Sequence, residues 1–181
     1  IGGGTTRDLL LGRTVWWTQD PTELILCIAA SLVTFFFITS DITRRKGMIW
    51  SDALGLSVFG VVGCHIALAF GSPPIIAVFM GMVTATGGGV IRDVLTNTQP
   101  LILCGQPYAT AALLGSLTYA VLRYLTVPEI AAEVVACAAA FSLRASAIIF
   151  DIRMGPPGEF LRFGKHQSDS EPKGTNDGSS T

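Results

Sequence analysis

Charged residues divide this chain into long apolar runs. None occurs from Leu24 to Ile38, and that stretch with its flanks is just long enough to cross a bilayer. Met48 to Phe70 is 23 residues holding one acid, Asp52, and one histidine, His65. Further runs cover Ile75 to about Thr96, Pro107 to Leu125 and Glu129 to Phe150. All are predicted to be membrane-spanning helices. The intervals carry matching punctuation. Asp20-Pro21-Thr22-Glu23 predicts a helix start, with Asp20 as N-cap and Pro21 at the first helical position. Gly71-Ser72-Pro73-Pro74 and Val127-Pro128 predict turns, and 97–106 predicts a loop. Trp16 and Trp17 mark a membrane interface, where an apolar ring keeps its N–H near water.

One pattern occurs twice against this apolar background. Gly2-Gly3-Gly4-Thr5-Thr6-Arg7-Asp8-Leu9-Leu10 returns, 85 residues on, as Gly87-Gly88-Gly89-Val90-Ile91-Arg92-Asp93-Val94-Leu95. Each glycine costs about 1 kcal/mol against alanine inside a helix, so both triplets are expected to unwind their helices. Carbonyls freed at membrane depth persist only inside protein or beside water, where they can coordinate a cation or an ammonium group. The adjoining Arg7, Asp8, Arg92 and Asp93 put charge where it is expensive and usually functional. A broken helix repeated in both halves of a membrane protein is the sequence pointer to a transport site.

The expected fold is an all-α integral membrane bundle of seven helices in an inverted 3+3+1 repeat, its second and fifth helices broken at the glycines. From Met48 the apolar sequence runs 39 residues to Gly87, so by symmetry about 38 residues are expected ahead of Ile1, the first helix and half of the second. On this reading 1–40 closes the first repeat, 48–126 is the second and 129–150 is the seventh helix. Residues 151–181 form a cytoplasmic tail, largely disordered from about 164 because Ser, Gly and Asp dominate it. Three spans per repeat turn the second copy upside down. Arg7 is then expected to reach Asp93, and Arg92 to reach Asp8, across the pseudo-two-fold axis.

Composition supports a membrane protein. Only 14% of residues are charged, against about 25% in a soluble domain, and the mean hydropathy is +0.54. A net charge of −1 with no clustered basic face argues against a nucleic-acid partner. Arg44, Arg45 and Lys46 lie between spans, and Arg153, Arg162 and Lys165 lie in the tail. The turns at 71–74 and 127–128 have no Lys or Arg, which puts the basic segments in the cytoplasm, with Arg13 as the exception. Cys27, Cys64, Cys104 and Cys137 lack metal-type spacing and read as packing residues.

Small residues fall on four-residue stripes: Ala77, Gly81, Ala85 and Gly89; Ala112, Ser116 and Ala120; Ala132, Ala136 and Ala140. They let helices approach closely, within one subunit first and between subunits as the alternative. Asp52 either lines the pathway or sits at the membrane interface. His65 reads as a packing residue rather than a ligand, and Arg144 as a side chain snorkelling to headgroups. No Gly-Lys-Ser/Thr follows either triplet, and no Ser-His-Asp set, metal cluster or paired-acid site stands out. No enzyme and no cofactor are expected.

The two GGG-x-x-RD-x-L copies resemble the prokaryotic-type trimeric intracellular cation (TRIC) channel family, whose domain is also called a glycine transporter domain. Asp52-Ala53-Leu54-Gly55-Leu56 and Gly71-Ser72-Pro73-Pro74-Ile75-Ile76-Ala77-Val78 add to the likeness, which covers about residues 1–155. It implies seven transmembrane helices in two inverted repeats, and a homotrimer in which each protomer has its own pore for K⁺ and Na⁺. It also implies that the pore-lining second and fifth helices kink at Gly2, Gly3 and Gly4 and at Gly87, Gly88 and Gly89, beside Arg7, Asp8, Arg92 and Asp93. Animal members gate through a lysine in the fourth span; Met48 to Phe70 has none, so that control does not carry over. Two other readings compete: a secondary transporter of glycine or a similar zwitterion, and a non-conducting scaffold. The expected partners are monovalent cations or glycine, the lipid bilayer and further copies of the chain. The expected location is the inner membrane, or an intracellular membrane in a eukaryotic source.

Overall fold

A computed structural model describes residues 1–37, 41–97, 102 and 107–150. Among them are six α-helices and a 3-10 turn at Trp16–Thr18: α1 (Gly2–Leu10), α2 (Thr22–Phe37), α3 (Asp41–Ala69), α4 (Pro74–Leu95), α5 (Ala109–Tyr124) and α6 (Glu129–Ile149). Gly47–Ala69, Pro74–Leu95 and Glu129–Ile149 are long and apolar enough to cross a membrane, and Thr22–Thr34 is a shorter apolar helix.

The boundaries follow from local chemistry. Gly12 and Gly71 take positive φ just past α1 and α3, a region open to glycine at little cost. Pro74 opens α4, where its missing N–H has no intrahelical partner to lose. Asp20 caps α2, its Oδ1 accepting the Thr22 backbone N–H at 3.0 Å and the Thr22 hydroxyl at 2.6 Å. Those two bonds, the hydroxyl's first, hold the Asp20 carboxyl below its ordinary value. The cap is therefore present above the usual carboxylate range and lost only as pH falls through the lowered value.

The bundle is inside-out in the membrane sense. Large apolar side chains such as Ile25, Phe36, Ile75, Phe79 and Ile130 face outward. Ala53, Ala67, Ala77, Ala112, Ala132, Ala136, Ala140 and Ser116 fill the interior. The stripes anticipated from spacing therefore pack within one chain. Ser116 Oγ donates to the Gly60 carbonyl at 3.1 Å, and Cys64 Sγ to the Ser116 carbonyl at 3.4 Å. A Cβ on Gly115 would lie 2.8 Å from that of Ala140. Backbones this close gain dispersion and side-chain-to-carbonyl hydrogen bonds, the terms that hold helices together in lipid. Two interior clusters result. One gathers Val61, Cys64, Ala67, Ala77, Tyr119, Ala132 and Ala136; the other gathers Leu56, Tyr108, Ala111 and Ala112.

The Arg44-Arg45-Lys46 segment is expected between spans, and the apolar span does begin after it, at Gly47, although helix α3 itself already begins at Asp41. No proline intervenes to stop it, so the helix runs on by a turn or more past the apolar boundary. The anticipated 151–181 tail, most of the 97–106 loop and Cys104 lie outside the described residues.

Close packing generates a prediction. A Cβ on Gly81 would collide with Ser116 Oγ and the Gly60 carbonyl, whereas one on Gly55 meets only Phe59 at 3.8 Å. Gly81→Ala should lower stability by about 1–3 kcal/mol, and Gly55→Ala should not lower it. Thermal unfolding of the detergent-solubilised variants measures the difference.

Candidate functional site

Charge lies inside the bundle on both sides of one helix crossing. α1 and α4 meet triplet against triplet. A Cβ on Gly3 would strike the Thr84 carbonyl, one on Gly87 would lie 3.5 Å from Gly3 Cα, and one on Gly2 would lie 3.6 Å from Gly88 Cα. Both triplets are helical, so the expected unwinding at Gly2, Gly3, Gly4, Gly87, Gly88 and Gly89 does not occur. The reason is a comparison of magnitudes. Helix propensity costs about 1 kcal/mol per glycine, whereas each backbone group left unsatisfied in an apolar interior costs several. The glycines serve contact instead.

At one end of the crossing, Arg7 Nε and Nη2 donate to Asp8 Oδ1 at 2.9 and 2.7 Å. The Trp16 backbone N–H donates to Asp8 Oδ2 at 3.2 Å, and Trp17 Nε1 donates to Thr5 Oγ1 at 2.9 Å. The tryptophan turn is thereby pinned back onto α1, and both Arg7 and Asp8 are buried.

At the other end, Arg92 Nε and Nη2 reach Asp93 Oδ1 at 2.9 and 2.8 Å, while Nη1 donates to Asp52 Oδ1 at 2.9 Å. The Tyr108 hydroxyl donates to that same Asp52 oxygen at 3.2 Å. Asp52 Oδ2 is buried and accepts no hydrogen bond from the described residues. Arg144 is wholly buried, its guanidinium carbon 5.1 Å from the centroid of the Tyr108 ring, in reach of a cation–π attraction. Gly89 makes room for this cluster, since a Cβ there would collide with the Tyr108 hydroxyl.

Three sequence readings change here. The cross-axis pairs Arg7–Asp93 and Arg92–Asp8 do not form; each arginine holds its own neighbour. From the crossing at Gly3 and Gly88, each pair lies four or five residues along its helix in opposite directions, roughly 6–8 Å from the contact. Asp52 belongs to the buried network rather than to an exposed interface, its side chain 8% exposed. Arg144 does not snorkel; it is interior.

Tyr108 and Arg144 are the members that sequence reasoning missed, and the signal was present. The stripe Ala77, Gly81, Ala85, Gly89 reaches Asp93 at its next step. Ala132, Ala136, Ala140 likewise reaches Arg144, and Tyr108 precedes Ala112 and Ser116 by the same step. The face that buries small residues buries the polar residue one turn further on. Two carboxylates and two guanidiniums then share one end of the bundle, so their formal charges cancel in an environment where an uncompensated charge is costly.

The network should behave as a unit. Arg92→Ala removes the cation shared by two buried carboxylates and should cost about 3 kcal/mol. Arg92→Ala combined with Asp52→Asn should show a coupling of about 1–3 kcal/mol in a double-mutant cycle read by denaturant or thermal unfolding.

Comparison with known proteins places this architecture. The family profile described as glycine transporter matches residues 1–39 and 49–124. The UPF0126 inner membrane protein YadS of Escherichia coli is 36% identical over 157 residues, covering 85% of this chain and 76% of that protein. Among solved structures, the TRIC trimeric intracellular cation channel orthologue from Rhodobacter sphaeroides is 42% identical, with a TM-score of 0.81 over 83% of this chain and 78% of that one. A prokaryotic TRIC channel is 33% identical with a TM-score of 0.77, covering 83% and 77%. Relatives and structural neighbours are membrane proteins, channels or transporters rather than enzymes. The two charged glycine triplets and the helical bundle they cross are those of the TRIC, or glycine transporter, family, to which this chain belongs.

Proposed function

We propose that the chain conducts monovalent cations, with one pathway in each protomer of a homotrimer. The observation that carries the proposal is the buried Asp52 carboxylate. One of its oxygens is held by Arg92 and Tyr108, and the other is buried yet accepts no hydrogen bond from the described residues, so its charge is the one left for an ion to meet. The likeness to solved TRIC cation channels supports it. In this reading Gly2, Gly3, Gly4, Gly87, Gly88 and Gly89 form the tightly packed crossing beside which the path runs, and its opening there requires the two helices to move apart. The Arg7–Asp8 and Arg92–Asp93 pairs tune or gate its two ends. K⁺ and Na⁺ suit such a site because weak, shared carboxylate contacts let an ion leave as easily as it enters. α1 and α4 are then equivalents in two inverted repeats, with the Asp52 end and the C-terminus on the cytoplasmic side.

A second reading has one observation in its favour, the glycine transporter description of the matching family. Arg92 would then meet a substrate carboxylate and Asp52 its ammonium group. Recording in planar bilayers separates the two. Unitary K⁺ steps support the channel, and saturable glycine uptake without such steps supports transport.

A fixed charge about 4 Å from an ion is worth roughly 1 kcal/mol even in water. Asp52→Asn should therefore lower unitary K⁺ conductance severalfold, and Asp93→Asn should alter conductance or open probability. Unchanged currents in folded variants would remove these carboxylates from the pathway.

A further inference from the structure

A second polar cluster lies at the opposite end of the bundle from Asp52 and has no part in the proposed pathway. His65 lies one turn before the end of α3, and Glu129 and Glu133 sit one turn apart at the start of α6. The i, i+4 spacing raises both carboxylates on one face toward the imidazole. His65 Nδ1 is 3.5 Å from Glu129 Oε1 and 3.4 Å from Glu133 Oε1, and one ligand atom from each residue lies within 4.8 Å of the others. A charge-assisted hydrogen bond would be shorter, about 2.7–2.9 Å. Two donors on a tetrahedral Zn²⁺ with bonds of about 2.0–2.1 Å stand about 3.3–3.4 Å apart. Each carboxylate stands at about that edge length from the imidazole.

The surroundings leave both carboxylate ligand atoms available and engage the imidazole through one exchangeable hydrogen bond. Arg123 approaches Glu129 through Oε2 at 3.9 Å, and its Nη1 already donates to the Val127 carbonyl at 3.0 Å. Tyr119 holds His65 Nδ1 through its hydroxyl at 2.7 Å, fixing the ring beside the two acids. His65 and Glu129, with Tyr119 and Arg123, border a cavity of about 670 Å³, so the cluster lies at an accessible surface of the bundle rather than sealed in its core.

The geometry points to a transition-metal site: His65, Glu129 and Glu133 bind one zinc-type divalent cation, with water completing a tetrahedron. One imidazole with two carboxylates suits zinc over calcium, which takes oxygen ligands alone. Binding makes the ion replace the Tyr119 hydroxyl at Nδ1 and ties α3 to α6 at this end of the bundle. The site overrides the packing-only reading of His65, and it stands or falls apart from the channel proposal because none of its residues belongs to the Asp52 network.

The test is titration of the purified, tag-free protein in detergent with zinc sulfate, and with cobalt(II) as a spectroscopic stand-in. The expected result is one saturable equivalent per chain, with the intense visible bands of tetrahedral cobalt bleached by zinc. His65→Gln and Glu133→Gln should each weaken zinc binding by at least the roughly tenfold that loss of a mere outer-shell partner costs. Tyr119→Phe removes the competing hydrogen bond and should bind as tightly or more tightly. Glu133 is half-exposed and its glutamine is isosteric, so that variant reports on the site even if His65→Gln fails to fold. Absence of saturable zinc binding, or binding undiminished in Glu133→Gln, overturns the assignment.

Discussion

The close approach of α1 to α4 is the constraint on which the interior depends. Two helices can bring their backbones together only where neither presents a Cβ, and here Gly2 and Gly3 of one helix meet Gly87 and Gly88 of the other, while Gly4 makes room for Trp16 and Gly89 for Tyr108. In lipid this contact has no hydrophobic drive behind it, so it rests on dispersion and short polar contacts between main chains. That explains how Gly2, Gly3, Gly87 and Gly88 are tolerated inside helices. Their modest propensity cost is outweighed by keeping every backbone group bonded in a medium that offers no water.

The crossing also decides where charge can go. Each Arg–Asp pair follows its triplet by about one turn, so the two pairs end on opposite sides of the contact rather than facing one another. One pair closes on itself and on the tryptophan turn through the Trp16 N–H. The other recruits Asp52 from α3 and, through it, Tyr108 from the start of α5. Small-residue stripes act as tracks that deliver these groups. Asp93, Tyr108 and Arg144 each stand one step beyond the alanines, glycines and serine that pack the helices. Buried polarity and close packing are thus the same geometric fact read at adjacent turns.

Much of this was legible in the sequence. The helices, their turns and the buried stripes follow from apolar length, Pro and Gly placement and residue spacing. Three things did not follow, for identifiable reasons. Helix propensity ranks residues against water, so it mispredicted glycine in an apolar interior. Inverted symmetry suggests which groups are equivalent, yet it says nothing about which end of a crossing each occupies, and the cross-axis pairs failed on that point. Arg144 was assigned to the headgroups from its depth alone. Its register with Ala132, Ala136 and Ala140 carried the better information.

The central claim, that the glycine triplets of α1 and α4 are in direct contact, can be measured by disulfide trapping. A Cβ on Gly2 lies 3.9 Å from the Ile91 Cβ, inside the roughly 3.5–4.5 Å that a disulfide requires. Gly2→Cys with Ile91→Cys, in a background where Cys27, Cys64, Cys104 and Cys137 are alanine, should form an intrachain disulfide rapidly under mild oxidant, identified by mass spectrometry of the linked peptides. Persistence of both free thiols, or linkage only between chains, would contradict the crossing and the arrangement of charge built on it.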